Sequence, residues 1–307
     1  MPGRTPGDLP PPTPTQAADQ VERPSAPVEP RAGERPASRP SGGGRTAHGR
    51  TPWSPWRDHQ PTARPRDPGQ GRGLGRLLGG VRNFQQVTAP LVQEELARLA
   101  KDGQRPSQLF LTCADSRLVT SMITSSGPGD LFTVRNVGNL VPLPGEEAGD
   151  ESVAAAIEYA VEVLRVESVT VCGHSGCGAM QALRAAETSD GGAAGGGSPL
   201  TRWLRHGRAS VERTSVTAAG TAGGAPVPRL ADRETADGLE ALCLHNVLQQ
   251  LEHLRAHDCV SRRLRDGSLE LHGMYFDVAR AQAYVLAPAE SAEPIFAPVR
   301  PEAREIA

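Results

Sequence analysis

Lysine is nearly absent from this chain: Lys101 is the only one among 33 basic residues in 307. With abundant Ala, Gly and Pro, that bias reflects a GC-rich coding sequence and no special function. No apolar run approaches the roughly 18 residues a membrane span needs, and no h-region marks a signal peptide. The net charge of -2 gives no whole-chain attraction to nucleic acid, so neither nucleic acid nor a membrane span is expected. The five cysteines are odd in number and contain no C-x-x-C pair. That argues against a disulfide framework and a zinc ribbon, and suits a reducing cytoplasm. Apolar residues are also scarce, at 37% against 34 Gly and 28 Pro, so part of the chain is expected to be unpacked.

That part is residues 1–76. They hold 16 of the prolines, twelve Arg, seven acids and no Lys, with few aliphatics. Such a segment cannot bury enough apolar area to offset its ordering entropy, and reads as a disordered tail. Its charge of +5 leaves -7 on the remainder. Two further stretches, 189–198 and 215–228, read as flexible Gly-rich insertions, and 289–307 as a loose carboxyl-terminal tail.

What is present between them is a folded α/β pattern. Ser107 to Thr112, Leu131 to Asn136 and Ser168 to Cys172 are short apolar runs bounded by polar or Gly-rich sequence, as buried strands are. Helical spacing covers Leu77 to Asp102, divided into two by Pro90. It recurs from Leu118 to Ser125, from Glu151 to Arg165 behind a capping Asp150, from Pro199 to Arg213 and from Glu234 to His257. Leu269 to Asp277 and Ala283 to Leu286 make a terminal hairpin-like pair.

The chemistry gathers just after two of the strands. Cys113-Ala114-Asp115-Ser116-Arg117 follows the first, and His174-Ser175-Gly176-Cys177 follows Ser168–Cys172. Open α/β sheets place their sites at the carboxyl ends of strands. Two thiolates and an imidazole form a ligand set of the right softness for zinc. His174 and Cys177, three apart, share a face if a helix opens at Gly176–Ala179. Cys113 comes from about 60 residues away. Three protein ligands with one position left for water is the arrangement of a catalytic zinc. His245, His253, His257 and Cys259 offer no four-ligand set for a second metal.

CADSR, VRNVGNLV at 134–141 and GHSGCGAM at 173–180 together resemble the β-class carbonic anhydrases, over about Leu77 to Pro288. The resemblance implies a mostly parallel central sheet flanked by helices, with a carboxyl-terminal antiparallel edge strand, in a zinc-dependent domain spanning 77–288. It implies one Zn2+ per subunit on Cys113, His174 and Cys177. Asp115 and Arg117 form a catalytic dyad, and Asp115 becomes a fourth ligand in a closed state. The implied reaction is hydration of carbon dioxide to bicarbonate by zinc-bound hydroxide. Gln104, Phe132, Val137, Tyr159 and Gly178 match substrate-lining positions, although a solvated Gln, core Phe and Val, and a packing Tyr fit the residues as well. Amino-terminal helices pack across a dimer in that family, so a homodimer or higher homo-oligomer is expected. The rival readings are a hydrolase of another small heterocumulene such as carbon disulfide, and a non-catalytic zinc-stabilised scaffold.

Overall fold

The computed structural model describes residues 74–146, 151–188, 198–218, 227–288 and 293–301. The expected tail up to residue 73, the stretch 189–197 and residues 302–307 lie outside the described residues, as does Asp150.

Seven strands form one sheet: β1 (Gln108–Cys113), β2 (Leu131–Asn136), β3 (Ser168–His174), β4 (Arg229–Leu230), β5 (Glu270–Asp277), β6 (Gln282–Leu286) and β7 (Ile295–Pro298). Their order is β2-β1-β3-β5-β6-β7-β4. The first four in that order are parallel, β6 and β7 run antiparallel, and β4 pairs parallel to β7. Nearly every residue of β1 and β3 is buried, as expected of central strands covered on both faces. The register sets Cys113 opposite Asn136 and His174 opposite Phe276. The parallel strands therefore end together, and the ligand-bearing loops leave from one edge.

The helices are α1 (Leu74–Asn83), α2 (Ala89–Asp102), α3 (Thr120–Thr124), α4 (Ser152–Glu158), α5 (Gly178–Thr188), α6 (Pro199–Leu204), α7 (Arg208–Ala218), α8 (Gly238–Ala256) and α9 (Asp258–Arg265). Pro90 does not divide the first helical stretch. It lies in the first turn of α2, and a π-turn over Phe84–Thr88, closed by the Ala89 N–H on the Phe84 carbonyl, joins α1 to α2. The stripe from residue 151 likewise ends in a π-turn, Tyr159–Val163. Helix α8 starts at Gly238, not Glu234, because the Asp237 carboxylate accepts from the N–H groups of Leu239 and Glu240.

Two further expectations change. The end of the chain is not loose throughout, because Ile295–Pro298 adds a second antiparallel strand with Phe296 fully buried. The stretch 215–228 is in part helical, since α7 continues to Ala218. The expected carboxyl-terminal antiparallel pairing is present in β6 and β7, with the two-residue β4 flanking β7.

Candidate metal centre

Strand β1 delivers Cys113 to its last position, and the Ala114 N–H then donates to the Asn136 carbonyl, ending the strand in line with β2. Strand β3 delivers His174, which is fully buried. The next residue is clamped to β5. The Ser175 N–H donates to the Phe276 carbonyl at 3.0 Å, and the Ser175 hydroxyl accepts from the Val278 N–H at 2.9 Å. Gly176, with φ +62°, reverses the chain so that Cys177 sits directly before α5. The ligand atoms of Cys113, His174 and Cys177 lie within 4.8 Å of one another. Among the described residues no other cluster of three potential metal ligands occurs.

His174 Nδ1 lies 3.0 Å from the Ser175 carbonyl. A carbonyl only accepts, so Nδ1 carries the proton and Nε2 presents its lone pair. That Nε2 is buried and without a hydrogen-bond partner. A buried orphan acceptor carries a free-energy cost unless something binds it. Its neighbours are two sulfurs, and sulfur with imidazole suits a soft divalent ion such as zinc. The thiols are already polarised. A bond shared with the Cys177 thiol outweighs burial and, with the Gly138 N–H, lowers the Cys113 thiol from its ordinary range. The same bond and burial push the Cys177 thiol up.

Beside the cluster, Asp115 is gripped by one residue. Arg117 donates to it from Nε at 2.9 Å, from Nη2 at 2.7 Å and from its backbone N–H at 2.9 Å. Those bonds hold the Asp115 carboxyl well below the usual carboxylate range against a modest opposing effect of burial, and raise Arg117. Arg117 Nη2 also donates to the Gly176 carbonyl at 3.0 Å, tying the two half-sites together. Asp115 Oδ2 stands 3.9 Å from His174 Nε2, yet Asp115 falls outside the ligand cluster. The carboxylate is held next to the centre, not in it.

Val137 follows β2 at this edge and is exposed, and Gly178 opens α5 with free space above its Cα. The chain does not bring Gln104, Phe132 or Tyr159 to the cluster. Phe132 pairs with Leu109, four residues before Cys113 and hence about 13 Å away along the strand. Tyr159 packs on Phe132 with ring centroids 5.8 Å apart. Gln104 precedes β1 altogether. Strand polarity separates these three from the metal ligands within one copy.

Several supports carry no local sequence signal. Arg135 reaches back from β2 and donates to the carbonyls of Cys113 and Asp115. The loop after β2 is pinned by α8: Asn246 donates to the Gly138 carbonyl, Gln250 accepts from the Val141 N–H, and His253 and His257 donate to the carbonyls of Val141 and Pro142. These two histidines have structural partners. The loop itself needs Gly138, with φ +87°, where an added Cβ would come within 2.9 Å of the Ala179 Cβ.

Fold and site together define an α/β protein with a buried Cys–His–Cys centre at the carboxyl edge of a parallel sheet. A family model described as carbonic anhydrase matches residues 108–283. A carbonic anhydrase from Pseudomonas aeruginosa is 38% identical over 202 residues, covering 66% of this chain and 82% of that protein. One from Synechococcus elongatus is 36% identical over 206 residues, covering 67% and 68%. Among solved structures, the β-carbonic anhydrase CcaA superposes with TM-score 0.60 at 29% identity, over 75% of this chain and 92% of that one. A tetrameric β-carbonic anhydrase from Sordaria macrospora superposes with TM-score 0.55 at 25% identity, over 69% and 96%. The chain belongs to the carbonic anhydrase family, in its β class, and is an enzyme of that family.

Proposed function

We propose that this enzyme interconverts carbon dioxide and bicarbonate, releasing a proton, with one zinc ion per subunit on Cys113, His174 and Cys177. The observation that carries the reading is the buried, unpartnered His174 Nε2 facing the thiol pair, with Asp115 locked beside it. Bound zinc supplies Lewis acidity that activates water near neutral pH. The chain's own residues do the rest. Ser175 fixes the His174 tautomer, so that the ligating nitrogen is always the free one. Asp115, kept ionised by Arg117, is an acceptor that orients a proton-bearing oxygen at the centre. Arg117 holds that carboxylate away from the metal position, so closure by Asp115 requires breaking three hydrogen bonds. Val137 and Gly178 leave an open, partly apolar approach, as a small nonpolar substrate needs.

The substrate-lining role of Gln104, Phe132 and Tyr159 needs a second copy of the chain, and we place them against a partner's centre in a homodimer or higher homo-oligomer. Supporting this, Leu74, Leu77, Leu78, Val81 and Phe84 are all exposed on one amino-terminal stretch. Apolar surface of that extent marks an interface, and the Sordaria macrospora relative is described as tetrameric. Two thiolate ligands and three further buried free cysteines suit the reducing cytoplasm, where we place the enzyme. No helix among the described residues is long and apolar enough to cross a membrane.

The test is carbon dioxide hydration and zinc content measured on one sample before and after chelation. Activity should track zinc and return when zinc is restored. A zinc-replete sample without activity would refute the reading.

A further inference from the structure

We propose that Trp203 is a positioning residue for the metal centre, acting on the Cys113 sulfur through the single peptide group between Val137 and Gly138. The Trp203 Nε1–H donates to the Val137 carbonyl at 2.7 Å. The Gly138 N–H donates to Cys113 Sγ at 3.4 Å. This C=O and this N–H belong to one amide, so the indole, the peptide and the sulfur form a chain of two hydrogen bonds. A bond accepted at the oxygen of an amide polarises it and strengthens the bond donated by its N–H. An indole N–H can only donate, which gives the relay one direction.

The relay is held from both sides. The following carbonyl, that of Gly138, accepts from Asn246 Nδ2 at 3.0 Å, so the peptide cannot rotate freely about the bonds of Gly138. Trp203 is fixed by its own helix. Ser198 caps α6, Arg205 donates to the Glu146 carbonyl at 2.6 Å, and the indole meets His206 edge-on at 5.4 Å. Gly207, where a Cβ would come within 2.5 Å of Leu183, allows the segment to close against α5. A partly buried indole could equally have donated to water, yet it is aimed at a carbonyl whose amide faces the ligand sulfur.

The physical effect is on the sulfur. A thiolate that accepts an N–H bond keeps more charge in that bond and gives less to a metal, which leaves the metal more electrophilic. The inference rests on the metal reading above, and the two fail in different ways. Load the full-length protein with Co2+ and record the sulfur-to-cobalt charge-transfer band. No such band in the parent protein would be a failure of the metal reading. In Trp203→Phe, with cobalt stoichiometry unchanged, the band should move to lower energy, and kcat/KM of the zinc enzyme should fall by about tenfold. Leu200→Ala, on the exposed side of the same helix, should leave the band in place. A band unmoved in Trp203→Phe overturns the relay. So does an equal shift in Leu200→Ala, because the helix and not the indole would then set the centre. If Trp203→Phe does not fold, biosynthetic 5-fluorotryptophan decides. It keeps the ring and strengthens the N–H donor, so the band should move to higher energy, and an unmoved band overturns the proposal.

Discussion

Replacing Asp115 by Asn separates a ligand role from an orienting one. The carboxylate accepts three hydrogen bonds from Arg117, two at Oδ1 and one at Oδ2. An Asn oxygen can keep the Oδ1 pair, but its NH2 then faces Arg117 Nη2, donor against donor. One charge-assisted bond is lost, about 1.5–3 kcal/mol where fully desolvated. The Arg117 side chain is half exposed, which discounts this to about 1 kcal/mol. The variant should therefore fold. It should also keep stoichiometric zinc, since Cys113, His174 and Cys177 are untouched. What it loses is an ionised acceptor 3.9 Å from His174 Nε2. Turnover should fall on the order of tenfold or more, about 1.4 kcal/mol of transition-state stabilisation. Stopped-flow hydration with metal analysis, from about pH 6.5 to about pH 9, covers the range in which an essential base would show. Full activity of Asp115→Asn across that range would refute the orienting role, and loss of zinc would make Asp115 a structural ligand. Arg117→Ala is the companion: it frees the carboxylate to close the site, so inactivity should extend upward in pH while zinc stays bound.

Three other outcomes are expected. Sedimentation should show a dimer or larger, and an active monomer would remove the cross-subunit role given to Gln104 and Tyr159. Glu240, 6% exposed, meets Arg233, the Ala236 N–H and the Tyr275 hydroxyl; burial pushes its carboxyl up, but these partners win and hold it at about 2. Its folded value lies below its unfolded one, so the stabilisation is complete above about pH 4.5 and is lost as pH falls toward 2. It amounts to roughly 1–3 kcal/mol, and acid melts of Glu240→Gln should be correspondingly flatter in pH. Gly138→Ala should cost about 2 kcal/mol or more from the left-handed backbone and the approach to Ala179, and should loosen zinc as the N–H to Cys113 shifts; unchanged melting and zinc retention would contradict the assigned geometry.

The Cys–His–Cys cluster was legible in the sequence because its residues are locally marked. Cys113 and His174 end continuous apolar runs, and Gly176 permits the turn that returns Cys177. The same runs announced β1, β2 and β3 to within two residues. What stayed hidden depends on partners far along the chain. Trp203 meets Val137 across 66 residues and Asn246 meets Gly138 across 108, and no local spacing announces either contact. Strands β4 and β7 are two and four residues long, so each offers too few alternations to register, although Leu230 and Phe296 are buried. Helix α8 reads as amphipathic, with His245 and Asn246 on the stripe of its leucines, and Gln250 and His253 are buried as well. Periodicity cannot distinguish a polar face turned to water from one turned to a loop.

That buried polar face explains how the centre is held. Asn246, Gln250, His253 and His257 recur three or four apart, so they form one ridge along α8. The loop they meet, Gly138 to Pro142, crosses the carboxyl edge of the sheet with main-chain groups that no strand pairs. Four of those groups find partners on the ridge, each worth about 1 kcal/mol net. Apolar replacements would instead leave buried N–H and C=O groups unpaired, at about 1–3 kcal/mol each. The ridge is therefore not exchangeable for a leucine stripe. Its effect reaches the centre through the first residue of the loop, because Gly138 gives its carbonyl to the ridge and its N–H to the Cys113 sulfur. The docking of α8 thus helps to fix the N–H that meets the ligand sulfur.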